Sequence, residues 1–275
     1  MAEKSMPTEI EYTSPSNLDE LIAIKLEYEN SKKGDLNRDE YDCEQCNNRG
    51  FYYVQNPESE YAWDLAMVVC RCMEVRENLT QAKKSGLGSL LDHRVKDFKI
   101  DNQWRNDDGS NWQKDFKDLV TDYILNADKE WFLALGQSGT GKTMLCSAIC
   151  NERLKKGHEV VYVIWRDYAD NMKQMKFEKK FIGNNRKHYY NEHAEAEILY
   201  IDDLFKGTIT ATDKSYAFEL INHRYNQKLV TIVSSELLIA ELMEVDQAVA
   251  GRLKEAAGRY VFPIGKDVNK NYRLK

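Results

Sequence analysis

The segment at residues 136–143 carries the residue types that cradle a phosphate group. It reads Gly-Gln-Ser-Gly-Thr-Gly-Lys-Thr and fits the pattern G-x4-G-K-[ST] without a mismatch. Its glycines let the backbone bend until successive N–H groups point at one phosphate, and the helix that follows adds positive partial charge. Lys142 is expected to reach the β- and γ-phosphates of a nucleotide, and Thr143 to bind Mg2+. The predicted nucleotide-binding residues are Gly136, Gln137, Ser138, Gly139, Thr140, Gly141, Lys142, Thr143 and Met144.

A pair of adjacent aspartates supplies the acidic partner that a phosphate loop of this kind needs. Asp202 and Asp203 follow the apolar run Ile-Leu-Tyr-Ile at residues 198–201, which is typical of a buried strand. Asp202 is expected to hold Mg2+, directly or through water. Asp203 is expected to orient and deprotonate the water that attacks the nucleotide.

Three further residues are candidates for catalysis. Glu236 ends another apolar strand in Ser-Ser-Glu, where a polar group senses the γ-phosphate or holds water; a plain strand-end turn is the alternative. Arg252 and Arg273 lie after the last strand–helix unit. A guanidinium offered to a neighbouring subunit's γ-phosphate acts as an arginine finger, and solvated surface arginines are the alternative.

The cysteines fall into two groups with different interpretations. Cys146 and Cys150, four apart in a predicted helix, are expected to be small buried side chains. The other group consists of a Cys-x2-Cys pair, a gap of 23 residues and a Cys-x-Cys pair. Four thiolates in two close pairs match a tetrahedral zinc site, and a closed four-ligand site is structural because no position remains for water. The predicted zinc ligands are Cys43, Cys46, Cys70 and Cys72.

From about residue 131 the chain alternates between apolar strands and helical segments. Continuous apolar strands separated by helices favour a parallel sheet with helices on both faces, so the predicted fold class is α/β. The predicted strands cover 131–135, 160–165, 198–201 and 229–233, and the predicted helices cover 143–156, 167–193 and 216–227.

The first part of the chain has a different organisation. An amphipathic helix is predicted at 17–31, and residues 40–75 form a ribbon-like pattern of ligand pair, strand, return strand and second ligand pair. The polar stretch 76–95, which contains two glycines, is the linker candidate. We therefore predict a small zinc-binding α+β domain with its linker at 1–95 and a second domain at 96–275, which opens with a helix at about 112–126.

Composition excludes several classes of protein. The 275 residues suggest one or two domains, and 42% hydrophobic content excludes a wholly disordered chain. The 39 basic and 45 acidic side chains give a net charge of −6, so any nucleic-acid surface must be local. No apolar run is long enough to span a membrane, and the N-terminus shows no signal peptide. These features predict a cytoplasmic protein with reduced cysteines.

A local basic segment lies between the second and third predicted strands. Residues 173–188 hold six Lys or Arg against one acid, interleaved with aromatic side chains. Basic groups neutralise phosphates and aromatic rings stack on bases, so the segment predicts contact with single-stranded DNA; a solvated helical face is the alternative. The candidate contacts are Lys176, Lys179, Lys180 and Arg186.

The order of these motifs resembles a known family. The phosphate loop, the Ile-Asp-Asp strand end, Ser-Ser-Glu, Gly-Arg-Leu at 251–253 and the terminal Tyr-Arg are similar to the AAA+ ATPases of the DnaC/DnaI-type replicative helicase loaders, a group that includes the IstB transposition helpers. The four-cysteine segment looks like the N-terminal zinc module of loaders from Gram-positive bacteria and their phages.

The resemblance implies a fold, a reaction and partners. It implies an AAA+ P-loop NTPase with a central parallel sheet, which binds ATP or ADP with Mg2+ and hydrolyses ATP weakly unless assembled. ATP would drive self-assembly on single-stranded DNA, and the zinc domain would bind the hexameric replicative helicase. By position, Lys142, Thr143 and Asp202 match nucleotide and Mg2+ binding, and Asp203 the catalytic acid. The family's arginine finger and second sensor fall on Arg252 and Arg273.

The sequence departs from this family at two positions, and other functions compete with loading. Glu236 stands where loaders often have Asn, and Ala256 where some relatives carry another arginine. The competing functions are an IstB-type helper that binds duplex DNA, an adaptor in which the nucleotide is only a switch, and a metabolic P-loop kinase. The zinc pattern favours the loader, and no substrate lid for a kinase is evident.

Overall fold

The computed structural model describes residues 18–39, 41–61, 63–101, 109–177, 183–267 and 270–274, with the side chains of 38, 39, 176, 177 and 183–186 excluded. The chain divides into two compact units, one up to Arg76 and one from Glu77 onward. The division falls within helix α2 (Cys72–Lys84). Residues 77–95, predicted to be a linker, belong by packing to the second unit, where Ala82 and Leu87 are fully buried.

The first unit contains the ribbon that the cysteine spacing predicted. Helix α1 (Leu18–Ser31) precedes strands β1 (Phe51–Gln55) and β2 (Leu65–Val69). The two strands pair antiparallel, from Phe51 opposite Val69 to Gln55 opposite Leu65. Near the end of α1, the Asn30 side chain donates to the carbonyl of Tyr53 at 2.9 Å and accepts from its N–H at 2.7 Å. The amide thus ties the helix to the free edge of β1.

The second unit is built on a parallel sheet, as predicted. Its strands are β3 (Phe132–Gly136), β4 (Val160–Ile164), β5 (Ile198–Asp202), β6 (Val230–Ser235) and β7 (Val261–Ile264). Within the described residues their order is β4-β5-β6-β3-β7, and every pairing is parallel. Strand β7 was not predicted. It lies at the edge of the sheet, where Pro263 is tolerated because one side needs no ladder hydrogen bond.

Helices cover both faces of this sheet. They are α3 (Trp112–Asn126), α4 (Lys142–Lys155), α5 (Trp165–Phe177), α6 (Gly183–Ala194), α7 (Ala211–Gln227), α8 (Ile239–Val245) and α9 (Gln247–Ala257). Helix α7 begins five residues before its predicted start at 216. Thr210 and Asp213 form a capping box there, which satisfies the first N–H groups of the helix.

Side-chain alternation along β3 divides the core into two layers. Leu133 and Leu135 face a layer that includes Val163 and Leu199, whereas Phe132 and Ala134 face a second layer. That second layer also contains Leu87 and residues of α3 and α4. All five residues of β3 are buried, so the strand holds the start of the phosphate loop in a fixed position. Of the helices described, none has both the length and the apolar character to cross a bilayer.

Candidate functional site

The phosphate loop connects the end of β3 to the start of α4, as its sequence predicts. Gly136, Gly139 and Gly141 have φ values of 110°, 75° and 85°, a region that side chains rarely adopt. A side chain at these positions would also clash with neighbouring atoms. On Gly136 it would lie 2.0 Å from the carbonyl oxygen of Ile264, and on Gly141 it would lie 2.6 Å from the ring of Phe98. Neighbouring segments therefore require glycine at these positions.

Lys142 is folded back onto its own loop. Its Nζ donates to the carbonyl oxygens of Gly136 at 2.6 Å and Gln137 at 2.7 Å. Burial lowers the pKa of this ammonium, while Asp203 and Glu236 act in the opposite direction. These carbonyls are weak partners for a buried cation, so a phosphate group can compete for it.

The carboxylate of Asp202 is buried and is held by four hydroxyl groups. Its Oδ1 accepts from Tyr200 at 2.8 Å, from Thr143 at 3.2 Å and from Ser234. Its Oδ2 accepts from Tyr162 at 3.2 Å. Uncharged donors stabilise the carboxylate without cancelling its charge, which leaves it available to a cation.

The two tyrosines that hold Asp202 lie side by side in the sheet. Tyr162 on β4 is registered with Tyr200 on β5. Burial, and secondarily the negative Asp202 in the case of Tyr162, raises the pKa of both phenols well above their usual value. Both hydroxyls therefore stay protonated and act as donors at neutral pH.

Asp203 faces a different set of groups from Asp202. Its N–H donates to the Ser234 hydroxyl at 2.9 Å, and its Oδ2 lies 2.7 Å from the ammonium of Lys206. The same ammonium lies 3.1 Å from Glu236. One lysine thus connects the predicted catalytic acid with the predicted first sensor.

Lys142, the two aspartates and Lys206 line one cavity of about 450 Å³. Phosphate-loop residues form one wall, the two aspartates form another, and Arg273 is on the rim as an exposed side chain. Three of the predicted residues, Gln137, Ser138 and Glu236, line a neighbouring depression with Lys266 and Asp267. The lining residues of the main cavity are Leu90, His93, Ser138, Gly139, Gly141, Lys142, Thr143, Met144, Asp202, Asp203, Lys206, Tyr272 and Arg273.

Arg252 lies elsewhere on the surface and does not line this cavity. Its Nε donates to Asn222 at 2.9 Å and its Nη1 to the carbonyl of Ala248 at 3.0 Å. Its guanidinium also lies over the ring of Phe218 at 5.0 Å. Within one copy of the chain, Arg252 is therefore held against α7 and not against the predicted nucleotide site.

Several residues that line the cavity or hold its aspartates were not predicted from the sequence. Tyr162, Ser234 and Lys206 hold the two aspartates, and His93 and Leu90 line the wall near Met144. Lys206 could have been predicted from the sequence, because it follows Asp202 by four residues and a short turn is enough to return it to the end of the strand. The others depend on strand register and on packing of the segment before α3.

The four cysteines of the first unit come together as predicted. Their sulfur atoms all lie within 4.8 Å of one another, with Cys43 Sγ 3.7 Å from Cys70 Sγ and Cys46 Sγ 3.5 Å from Cys72 Sγ. Sulfurs placed tetrahedrally at about 2.3 Å from zinc are about 3.8 Å apart, so the cluster is compatible with this metal.

The backbone around the cluster also suits thiolate ligands. Asn47 and Asn48 have positive φ values of 48° and 62° and shape a tight turn, after which the Gly50 N–H points at Cys46 Sγ at 3.4 Å. Burial raises the pKa of the Cys72 thiol to about 12. For Cys46, burial is outweighed by hydrogen bonds from Gly50 and the neighbouring thiols, which lower its pKa to about 7. Full ionisation of such a crowded set requires a cation.

The predicted DNA contacts cannot be placed. Lys179 and Lys180 lie outside the described residues, and Lys176 and Arg186 belong to α5 and α6 with only their backbone described. Lys173, at the start of the basic segment, is paired with Asp213 at 2.6 Å.

Comparison with known proteins decides the family. Residues 52–251 match the family described as IstB-like ATP binding protein. The chain belongs to this family. The match runs from the four-cysteine unit through the phosphate loop and both aspartates. The family membership that the motifs suggested is therefore confirmed.

Individual relatives of this IstB-like protein agree with the family match. It is 29% identical over 270 residues to the Phage-like element PBSX protein XkdC of Bacillus subtilis (strain 168), covering 94% of this chain and 96% of that protein. It is 30% identical over 100 residues to the Replicative helicase loader DnaC of Escherichia coli (strain K12), which is 36% of this chain and 40% of DnaC.

A solved structure shows the same fold. The replication initiator DnaA bound to AMPPCP and single-stranded DNA superimposes with a TM-score of 0.50 and 21% identity, over 65% of this chain and 51% of that chain. The IstB-like protein thus spans about half of the initiator it matches. The likeness confirms the expected AAA+ fold with its central parallel sheet.

Proposed function

We propose that this IstB-like protein is a helicase loader that binds and hydrolyses ATP in the cavity at the end of β3. The observation that carries ATP binding is the 3.2 Å contact between the Thr143 hydroxyl and Asp202, directly beside the loop that bears Lys142; the loader role is supported by the family match and by the similarity to DnaC. Hard oxygen ligands at that separation suit Mg2+, and the loop supplies N–H groups for phosphates.

Each residue then has a defined part in the reaction. Lys142 leaves the carbonyls of its loop for the β- and γ-phosphates, and Thr143 and Asp202 would hold Mg2+, which would neutralise charge on the phosphates. Asp203 accepts a proton from the water that attacks the γ-phosphorus, and ADP leaves with the electron pair of the broken P–O bond. Arg273, on the rim, neutralises charge on the phosphates.

Nucleotide binding is tested by calorimetry on the full chain with Mg2+ and ATP. Lys142→Ala is expected to weaken binding by at least about 10-fold, because a charge-assisted hydrogen bond contributes about 1.5–3 kcal/mol. Lys254→Ala, which removes an exposed lysine that donates to the Gly258 carbonyl, is the control and should bind as wild type does. Equal affinities for all three proteins would contradict the proposal.

The partner of the first unit is proposed to be the hexameric replicative helicase. The four-cysteine cluster supports a role in protein binding, because a zinc ion bound there would stabilise the small first unit and so fix the surface that it presents to another protein. Pull-down of the helicase by the full chain should be lost in Cys43→Ser and kept in Cys150→Ala, whose cysteine is outside the cluster. Capture by both variants would move the contact away from the zinc unit.

Single-stranded DNA is the second proposed ligand. The support is the charge of residues 173–188, six basic side chains against one acid. The test replaces four residues with glutamine: Lys176, Lys179, Lys180 and Arg186. A plot of log affinity for single-stranded DNA against log salt concentration should become less steep, by about 0.7 for each DNA phosphate that the variant no longer neutralises. An unchanged slope would exclude this segment. A preference for duplex DNA would instead favour an IstB-type transposition helper.

One observation favours a second candidate, an adaptor in which ATP is mainly a switch. The ammonium of Lys206 occupies an oxygen of Asp203 at 2.7 Å, so the base is not free to accept a proton in this state. Steady-state ATPase rates with and without single-stranded DNA separate the candidates. Stimulation by DNA supports the loader, whereas tight ATP binding with a negligible rate under both conditions supports the adaptor.

A further inference from the structure

A strained turn follows the strand that carries the two aspartates. Asp203 and Phe205 have positive φ values of 57° and 60°, and Gly207 has 89°. A non-glycine residue in this region costs about 1–3 kcal/mol, so the surroundings must hold the turn in place. The strained turn places Lys206 in the lining of the cavity.

The end of β6 fixes the turn through its backbone and one side chain. The Leu204 N–H donates to the carbonyl of Ser234 at 2.8 Å, and the Ser235 hydroxyl donates to the carbonyl of Leu204 at 2.7 Å. The ring of Phe205 packs edge-on against Trp165 with centroids 5.5 Å apart. These contacts return the chain toward Asp203 and bring Lys206 to the cavity.

This turn presents the side chain of Lys206 at the cavity. That side chain is 45% exposed and lines the cavity together with Lys142 and Asp202. Its ammonium lies 2.7 Å from Asp203 and 3.1 Å from Glu236. Four rotatable side-chain bonds let the ammonium change partners while the backbone stays where it is.

The charges of the cavity favour such a change of partner. Two partly exposed carboxylates share one ammonium, and exposed ion pairs of this kind contribute only about 0–1 kcal/mol. A terminal phosphate brings a larger negative charge and more acceptor oxygens than either carboxylate. The carboxylate of Glu236 then provides Lys206 with a second resting partner beside Asp203.

We propose that Lys206 is a γ-phosphate sensor, which rests on Asp203 and Glu236 without a triphosphate and transfers to the terminal phosphate when ATP binds. The transfer frees Asp203 to accept a proton from water. ADP lacks the terminal phosphate and leaves Lys206 on its carboxylates. The inference rests on the proposed binding of ATP at this site and adds the residue that distinguishes ATP from ADP.

The experiment measures dissociation constants for ADP and a non-hydrolysable ATP analogue, both with Mg2+. Lys206→Ala is expected to weaken the analogue by about 10-fold or more, since one charge-assisted hydrogen bond is removed, and to change ADP by less than about twofold. Lys206→Arg should restore most of the preference. Lys155→Ala is the matched control, because Lys155 is 43% exposed and forms the same i,i+3 ion pair, with Glu152 at 2.6 Å.

A second variant tests the resting state directly. Glu236→Gln removes one of the two carboxylates that hold Lys206, so we expect tighter binding of the ATP analogue and unchanged binding of ADP. Lys206→Ala in the same chain should abolish this gain, because the gain acts through the lysine.

The outcomes separate this inference from the proposed function. If wild type binds both nucleotides and Lys206→Ala leaves their ratio unchanged, or weakens both equally, the sensor is wrong while ATP binding stands. If wild type binds neither nucleotide, the proposed function and the sensor fail together.

Discussion

The N–H of Tyr272 donates a 2.9 Å hydrogen bond to the carbonyl of Gly139, in the middle of the phosphate loop. The Tyr272 hydroxyl in turn donates to the Lys99 carbonyl at 3.2 Å and accepts from Gln113 at 2.5 Å. The segment that carries Arg273 is therefore bonded both to the loop and to the region before α3. A change in the conformation of the phosphate loop should therefore shift Arg273, although the two are far apart in sequence.

Gly139→Ala tests this coupling. Its φ of 75° disfavours alanine, and a Cβ would lie 1.9 Å from the side-chain oxygen of Asn271. We expect the terminal segment to be displaced, ATP affinity to fall at least about 10-fold, and stability to drop by about 1–3 kcal/mol. Calorimetry and urea unfolding measure the two effects. Gly251→Ala, where a Cβ meets nothing within 4 Å, is the control and should bind ATP normally.

Tyr200→Phe tests the hydroxyl groups that hold Asp202. The phenol is fully buried, and its loss leaves a buried carboxylate with one donor fewer, which should cost about 1–3 kcal/mol. Urea unfolding at neutral pH measures this loss. Tyr225→Phe, which removes a hydroxyl at the protein surface, should change stability by less than about 0.5 kcal/mol. Equal stabilities for the two variants would show that Tyr200 is dispensable to Asp202.

Asp203→Asn separates binding from hydrolysis. Asparagine keeps the shape of the side chain but cannot accept the proton of the attacking water, so the rate should fall by about 10²–10⁴-fold. ATP affinity should not fall, because Mg2+ is assigned to Thr143 and Asp202 and because Lys206 loses one of the two carboxylates that compete with the terminal phosphate. Single-turnover hydrolysis together with calorimetry makes the measurement. An Asp203→Asn protein that hydrolyses ATP at the wild-type rate would remove Asp203 from the reaction.

Zinc removal tests the four-cysteine cluster. We expect elemental analysis to find zinc in wild type and in Cys150→Ala, and none in Cys46→Ser. Structural zinc in small units contributes several kcal/mol, so chelation should unfold the first unit. Nucleotide affinity should stay within about twofold of wild type, since the cavity is built from residues of the second unit only. Retention of zinc by Cys46→Ser would exclude this cysteine as a ligand.

Local patterns made the fold and the cavity's centre predictable. The glycines, lysine and threonine of a phosphate loop lie in one continuous segment, so their positions in the sequence are enough to identify the site. The two aspartates could be identified because they directly follow an apolar strand. Strand β7 was missed because Pro263 interrupts a short run, which is tolerated only at a sheet edge. The predicted linker at 76–95 shows few apolar residues, yet Ala82 and Leu87 are fully buried and the residues from Glu77 onward belong to the second unit.

Contacts between segments that are distant in the chain could not be predicted from the sequence. Tyr162 reaches Asp202 only because β4 and β5 are in the register that sets Tyr162 beside Tyr200. Ser234 reaches both aspartates because β6 lies next to β5. No spacing rule in one sequence encodes strand order, so these donors could not be assigned before the sheet was known.

Arg252 yields the last prediction, which concerns two copies of the chain. In one copy the guanidinium is held by Asn222 and the Ala248 carbonyl, away from the cavity. If it acts as an arginine finger, it must reach the nucleotide of a neighbour. Lys142→Ala lacks a working nucleotide site but keeps its finger, and Arg252→Ala has the converse defect, so each protein alone should hydrolyse ATP poorly.

Mixing the two variants should restore part of the activity, because some interfaces then pair an intact site with an intact finger. The measurement is the steady-state ATPase rate across mixing ratios, with single-stranded DNA present. Arginine fingers contribute about 10³–10⁵-fold in rate, so even a minor fraction of such interfaces is detectable. A mixture that is no faster than its components, when wild type is active, would confine Arg252 to the contacts it makes with α7.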